Sequence, residues 1–221
     1  MNALSSPSNG ANYNPCFMIR AYCFLSAVPM RLEPSDRAEM VNQLLLDDTF
    51  VILNQQEKWS LIRCDWDDYE GWIDNKQWKP FPGGANLSTG HEVSPATVAQ
   101  KQYLNVPYLW GGRTVMGIDC SGLTQVCFRA CGMRLLRDAS QQATQGSPVH
   151  NLQEARRDDL CFFCNEQGRI IHVGIFMGNH QIIHSSGQVR IDTLTPEGIF
   201  NNDTQSFTHR LYSIRRILQL S

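Results

Sequence analysis

The sequence predicts an α+β protein, with helices packed on an antiparallel sheet, preceded by a small all-β barrel. Three observations carry this. A Pro- and Gly-rich stretch from Lys79 to Pro95 divides the 221 residues into two unequal parts. Before it, short apolar runs alternate with tight polar turns. After it, helical patterns come first and a run of strands follows. A barrel is therefore expected over residues 1–82 and a second domain over residues 83–221.

In the first part, Thr49-Phe50-Val51-Ile52-Leu53 is a short apolar run, and Asn54 to Lys58 is a polar turn. Trp59 to Cys64 is a second β-prone run, Asp65 to Asp68 a second turn, and Glu70-Gly71-Trp72-Ile73 begins a third strand. Ser35 to Leu46 reads two ways: Ser35-Asp36 could cap a helical turn, and Val41 to Leu46 could equally be a strand. In the second part, Ser94 suits an N-cap and Pro95 the first helical position, with a helix continuing towards Pro107. A second helix is expected from Cys120 to about Ala130. Leu123, Val126, Cys127 and Cys131 share its face, and Gly132 suits its C-terminal end. Strands are expected at about 160–164, 171–177, 181–186, 188–193 and 208–216.

Composition narrows the function. Hydrophobic residues make up 42% and charged residues 18%, as in a soluble globular chain rather than a disordered one. With 19 Lys and Arg against 21 Asp and Glu, the formal charge is −2, which gives no footprint for nucleic acid or an anionic membrane surface. No apolar run reaches the ~18 residues of a membrane span, since Arg20 interrupts the stretch from Cys16 to Met30. Residues 1–15 are polar, lack a basic segment and do not read as a signal peptide. The eight cysteines permit disulfides, but a chain of this length builds a core without them. Reduced thiols and a cytoplasmic location are expected, or a periplasmic or secreted one if a signal peptide has been removed. The sequence does not report the oligomeric state.

The chemistry centres on Gly117-Ile118-Asp119-Cys120-Ser121-Gly122-Leu123, where Cys120 opens a helix after the Gly-rich loop Gly111-Gly112-Arg113. A helix N-terminus presents partial positive charge and unpaired N–H groups, which favour a thiolate and can hold an oxyanion. The plain alternative is a small buried cysteine. Two histidines lower its weight. His172 lies near the start of the strand Ile171 to Phe176, and His184 lies on the next strand. A Cys–His pair needs a base to take the thiol proton and a third polar group to orient it. If the connecting loop is Met177 to Asn179, His172 lies directly opposite His184, with Cβ atoms ~4.5–5.5 Å apart. If it is Gly178-Asn179, His172 faces Ser185 and His184 points to the other side. The first register is the expected one. His91, His150, His180 and His209 read as solvated. Cys161-Phe162-Phe163-Cys164 is a CxxC without the second knuckle that zinc needs, so it reads as core packing and no metal is expected.

Six blocks in order resemble the NlpC-type cysteine peptidases, bacterial cell-wall endopeptidases with a papain-like core. They are Pro107-Tyr108-Leu109-Trp110-Gly111-Gly112-Arg113, Asp119-Cys120-Ser121-Gly122-Leu123, Arg137-Asp138-Ala139-Ser140-Gln141-Gln142, Asp159-Leu160-Cys161-Phe162-Phe163, His172-Val173-Gly174-Ile175-Phe176 and Ile183-His184-Ser185. The first part is similar to a bacterial Src-homology-3-like barrel through Val28-Pro29-Met30-Arg31, Glu39 to Leu45 and Tyr69-Glu70-Gly71-Trp72-Ile73. Together they resemble the subgroup that cleaves γ-D-glutamyl bonds in murein peptides with a free N-terminal L-alanine.

The resemblance implies Cys120 as nucleophile, His172 as base and His184 as orienter, without metal or organic cofactor. It places Tyr108, Trp110, Asp119, Ser121 and Asp138 at the substrate, with Asp138 holding the free ammonium and Glu39 and Tyr69 of the barrel as candidates for the same task. Ala139 departs from a common Ser, Asp158 from a common Gly, and Asp47 from a turn Gly. The implied partner is an L-alanyl-γ-D-glutamyl-diamino acid peptide. A catalytically inactive module that binds cell-wall peptide is the competing reading. A lipid or other acyl transferase would need an apolar groove that the sequence does not show.

Overall fold

Two seven-stranded antiparallel sheets organise the computed structural model, which describes residues 19–83 and 94–217. The expected polar segment 1–15, Cys16, the middle of the linker with His91, and residues 218–221 lie outside the described residues. Strands β1 (Arg20–Cys23), β2 (Ala27–Arg31), β3 (Met40–Leu45), β4 (Thr49–Gln55), β5 (Trp59–Cys64), β6 (Glu70–Asp74) and β7 (Trp78–Pro80) form the first sheet. Their order is β3-β2-β6-β5-β4-β1-β7. Alternation explains their inner face. Val28 and Met30 of β2, Leu44 of β3, Ile62 of β5 and Ile73 of β6 are fully buried, and their immediate neighbours along each strand are half-buried on the other face. The ambiguous segment 35–46 thus resolves as a strand over its second half. Asp47 takes a left-handed φ of 67° in the β3–β4 turn, a conformation that aspartate tolerates, so it replaces the usual turn glycine without changing the path.

The second part begins with α1 (Pro95–Val98), followed by the two-stranded β8 (Arg113–Thr114) and β9 (Gly117–Ile118), then α2 (Cys120–Ala130) and α3 (Ala139–Gln142). α1 starts as expected on Ser94 and Pro95, but it widens into a π-turn over 99–103 and ends well before Pro107. Asp158, which stands where a Gly is common, sits at φ 77° and accepts from Ser94 Oγ and Ala96 N–H at 2.8 Å each. It therefore ties the start of α1 to the sheet. The second sheet contains β10 (Ser147–Val149), β11 (Leu160–Cys164), β12 (Ile170–Gly178), β13 (Gln181–Ser186), β14 (Gln188–Leu194), β15 (Gly198–Asn201) and β16 (Ser206–Arg216). Its order is β10-β16-β11-β12-β13-β14-β15, with β15 also pairing β16, so six strands close on themselves.

That closure gives the sheet two buried faces. Leu160, Phe162, Val173, Ile175 and Ile183 pack with Leu123, Val126 and Cys127 of α2. Cys161, Phe163, Phe176, Ile182, Leu194 and Ile199 form a separate core on the other side. Cys161 and Cys164 are both buried on β11, as core packing requires. Among the described residues, no helix is long and apolar enough to cross a membrane.

Candidate active site

Cys120 is the first residue of α2, whose N-cap Asp119 accepts from the Gly122 N–H at 2.6 Å. The cap is reinforced. Asp119 also accepts from the Gly111 N–H at 2.9 Å, and buried Arg137 binds both its oxygens, at 3.1 and 2.6 Å. Arg137 donates further to Ser121 Oγ and to Asn42 Oδ1 of the barrel. The carboxylate of Asp119 and the hydroxyl of Ser121 are thus engaged in holding the helix start, and both residues also line the cleft. Close backbone approach explains the Gly-rich loop. Gly111 has φ 75°, and a Cβ there would lie 2.5 Å from the Met40 carbonyl oxygen on the barrel.

Cys120 is among the residues lining a cleft of about 430 Å³. Tyr108, Trp110, Asp119, Ser121 and Asp138 line it together with Tyr69 and Val41 from the barrel. Trp110 is largely exposed at the rim, where its indole N–H donates to Glu39 Oε1 at 2.7 Å. Glu39 therefore reaches the cleft through Trp110, whereas Tyr69 forms wall directly beside Asp138. Burial pushes the Tyr69 and Tyr108 hydroxyls up to about 12, with Asp138 next for Tyr69 and Cys120 next for Tyr108. Burial also raises the Asp138 carboxyl, against the lowering effect of Arg137.

The thiol departs from expectation. Burial pushes Cys120 up to about 12 and Asp119 adds to the rise, while the Val173 and Ser121 N–H groups and Arg137 act the other way. Desolvation outweighs the helix start and favours the thiol over the thiolate. The Val173 N–H contact seats the sulfur against β12, one residue from His172. No hydrogen bond joins the sulfur to the His172 ring among the described residues.

The histidine register also differs. Asn179 and His180 form a two-residue turn with φ of 51° and 57°, and Met177 is an extra, bulged residue on β12. His184 consequently lies opposite Gly174, not opposite His172. The shift from the expected register is two residues, which keeps both rings on one face. They meet diagonally, with His172 Nε2 to His184 Nδ1 at 2.8 Å. Gly174 makes room: a Cβ there would lie 2.9 Å from His184 Cβ.

Sequence reasoning missed two further members. Asp192 on β14 is fully buried, and its Oδ2 lies 3.1 Å from His184 Nε2. Its signal was available in the period-2 spacing: Arg190 pairs His184, so Asp192 falls on the same face. His209, expected to be solvated, stacks on His172 with ring centres 4.2 Å apart. Only the closing of β16 onto β11 and β15 brings it there. Burial lowers His172 well below its usual value, with His184 and His209 adding, and lowers His209 to about 4. Both rings are neutral at pH 7. Burial opposes the charge on Asp192, but hydrogen bonds from His184, Arg190 and the Asn202 N–H hold it well below the usual carboxylate range.

Comparison with known proteins adds three findings. Residues 105–210 match the model of the NlpC/P60 family, and residues 30–77 match that of a bacterial dipeptidyl-peptidase Sh3 domain. A gamma-D-glutamyl-L-lysine dipeptidyl-peptidase of Bacillus subtilis (strain 168) is 41% identical over 98 residues, which is 42% of this chain and 33% of that protein. The "Probable endopeptidase NlpC" of Escherichia coli (strain K12) is 37% identical over 111 residues, covering 49% of this chain and 71% of that protein. A solved NlpC/P60 family protein from Bacillus cereus ATCC 10987 superposes with a TM-score of 0.49 at 20% identity, covering 91% of this chain and 64% of that one. The chain spans about a third of the length of the dipeptidyl-peptidases it matches, 33% and 29% for the two Bacillus proteins.

Proposed function

The chain belongs to the NlpC/P60 family, and from that premise we propose that it is a cysteine peptidase acting on murein peptides. The bond cleaved is the γ-D-glutamyl-diamino acid bond of a peptide with a free N-terminal L-alanine. One observation carries the reading: Cys120 lines a walled cleft while its sulfur rests against the strand from which the His172–His184–Asp192 string starts.

With burial favouring the thiol, attack and proton transfer are coupled. The S–H bond breaks as His172 Nδ1 takes the proton, and the sulfur attacks the γ-carbonyl carbon of D-glutamate. The tetrahedral oxyanion collapses as the His172 imidazolium gives that proton to the departing amine of the diamino acid. A thioester remains. Water, deprotonated by His172, then releases L-alanyl-γ-D-glutamate and restores the thiol. The Tyr108 hydroxyl lies in the cleft near Cys120 and can donate to the oxyanion. Asp138, with Tyr69 beside it, offers a carboxylate to the substrate ammonium. An N-capped peptide would leave that carboxylate without a cationic partner. A free amine marks peptide already released from glycan, which fits recycling in the cytoplasm.

Mass spectrometry of products from synthetic tri- and tetrapeptides tests this reading. The Cys120→Ala variant should keep its fold and lose all hydrolysis, and turnover by that variant would end the proposal. Asp138→Ala should lose more on the free-amine tripeptide than on its N-acetylated form, and equal loss on both would remove the ammonium role. The competing reading, a binding module without turnover, draws on the sulfur's lack of a hydrogen bond to His172. It predicts that the unaltered chain binds the same tripeptide and leaves it intact.

A further inference from the structure

Asp192 is surrounded by donors alone. Its Oδ2 accepts from Arg190 Nε at 2.6 Å and faces His184 Nε2 at 3.1 Å. Its Oδ1 accepts from Arg190 Nη2 at 3.0 Å and from the Asn202 N–H at 3.0 Å. Arg190 is itself held by Asp203 and Asn201. A carboxylate in this setting can only accept, so His184 must carry its proton on Nε2. With that as its one ring proton, His184 presents a lone pair at Nδ1. Across the 2.8 Å contact, His172 must therefore donate from Nε2, which leaves Nδ1 as its lone-pair nitrogen.

We propose that Asp192 is a positioning residue that acts through His184 to fix the tautomer of His172, leaving Nδ1 open to receive the thiol proton. The proposal rests on the reading of His172 as the base. The other titratable neighbour is His209, stacked on His172 and 6.0 Å from the His184 ring centre.

Asp192→Asn is the informative variant because it keeps the shape and replaces one acceptor oxygen by a donor. Arg190 and the Asn202 N–H cannot accept, whereas His184 can by changing tautomer. The new NH₂ group should therefore turn to His184, moving the proton of each ring from Nε2 to Nδ1. Long-range proton–nitrogen correlation spectra at neutral pH read both rings. The unaltered protein should show His172 and His184 as Nε2–H tautomers, and Asp192→Asn should show Nδ1–H for both. With the L-alanyl-γ-D-glutamyl-diamino acid tripeptide, kcat should fall on the order of 10²-fold or more, with KM changed less than about twofold.

An Nδ1–H tautomer at His172, or an imidazolium at His184, in the unaltered protein overturns the proposal even if the variant does not fold. Unchanged tautomers in the variant, or changed tautomers with full turnover, overturn it as well. If the unaltered protein does not cleave the tripeptide, the peptidase reading falls, and the spectra still decide where the protons lie.

Discussion

A cysteine at a helix start and a histidine one strand away were legible from residue types and order, but their protonation was not. The helix N-terminus favours a thiolate, whereas burial and the neighbouring Asp119 favour the thiol, and the second influence is the larger here. The same desolvation holds His172 and His209 neutral. This has a thermodynamic consequence. Below about pH 6.5 the unfolded chain protonates both imidazoles while the folded one does not, so folding loses stability as pH falls. Each ring contributes a slope of up to about 1.4 kcal/mol per pH unit until it titrates in the fold. Asp192, held low, adds to the loss at still lower pH, and Asp138, raised by burial, opposes it. Urea midpoints should therefore fall between pH 7 and pH 5, and substitution of His209 by Gln should flatten that dependence. An unchanged slope in His209→Gln would show that the ring is not held neutral by the fold.

The element that assembles the site is the β12–β13 hairpin, and its detail depends on turn geometry. Alternation in Ile171 to Phe176 and Ile182 to Ser186 showed that both histidines could share a face, because side chains repeat every two residues. The bulge at Met177 and the two-residue turn at Asn179-His180 were not visible, since three-residue and two-residue loops both fit that sequence. The resulting diagonal pair depends on Gly174 having no side chain. Gly174→Ala would press a methyl group against His184 Cβ and Ile182 Cδ1, at 2.9 and 2.8 Å. A cost of about 1–3 kcal/mol in stability is expected, with a larger proportional loss of turnover as His184 is pushed off His172. Parallel urea titration and kinetics check this, and a variant that loses stability alone would show that the rings adjust independently of the strand spacing.

At the scale of the whole molecule, the barrel and the second part share buried charge. Asp48 at the β3–β4 turn accepts from Arg113 at 3.3 Å and from Arg129 on α2, and Asp67 accepts from Gln125 at 2.8 Å. Asn42 completes Arg137, which completes Asp119 at the start of α2. The barrel therefore helps to hold the helix that begins at Cys120 as well as walling the cleft. Asp48→Ala strands Arg113, which is 2% exposed, and should cost about 3–5 kcal/mol. A shift of the urea midpoint well short of that would mean that solvent reaches the interface. By itself the sequence determined the fold class, most of the long strands, the helix that begins at Cys120, and the candidate residues Cys120, His172 and His184, because periodicity, caps and turn residues act over a few neighbours. The tertiary structure decided the register, the contacts that bury Asp192, Arg137 and His209 beside the site, and the desolvation that raises the thiol. Each of these depends on groups distant along the chain being brought together out of water, where desolvation and hydrogen bonding set the charge.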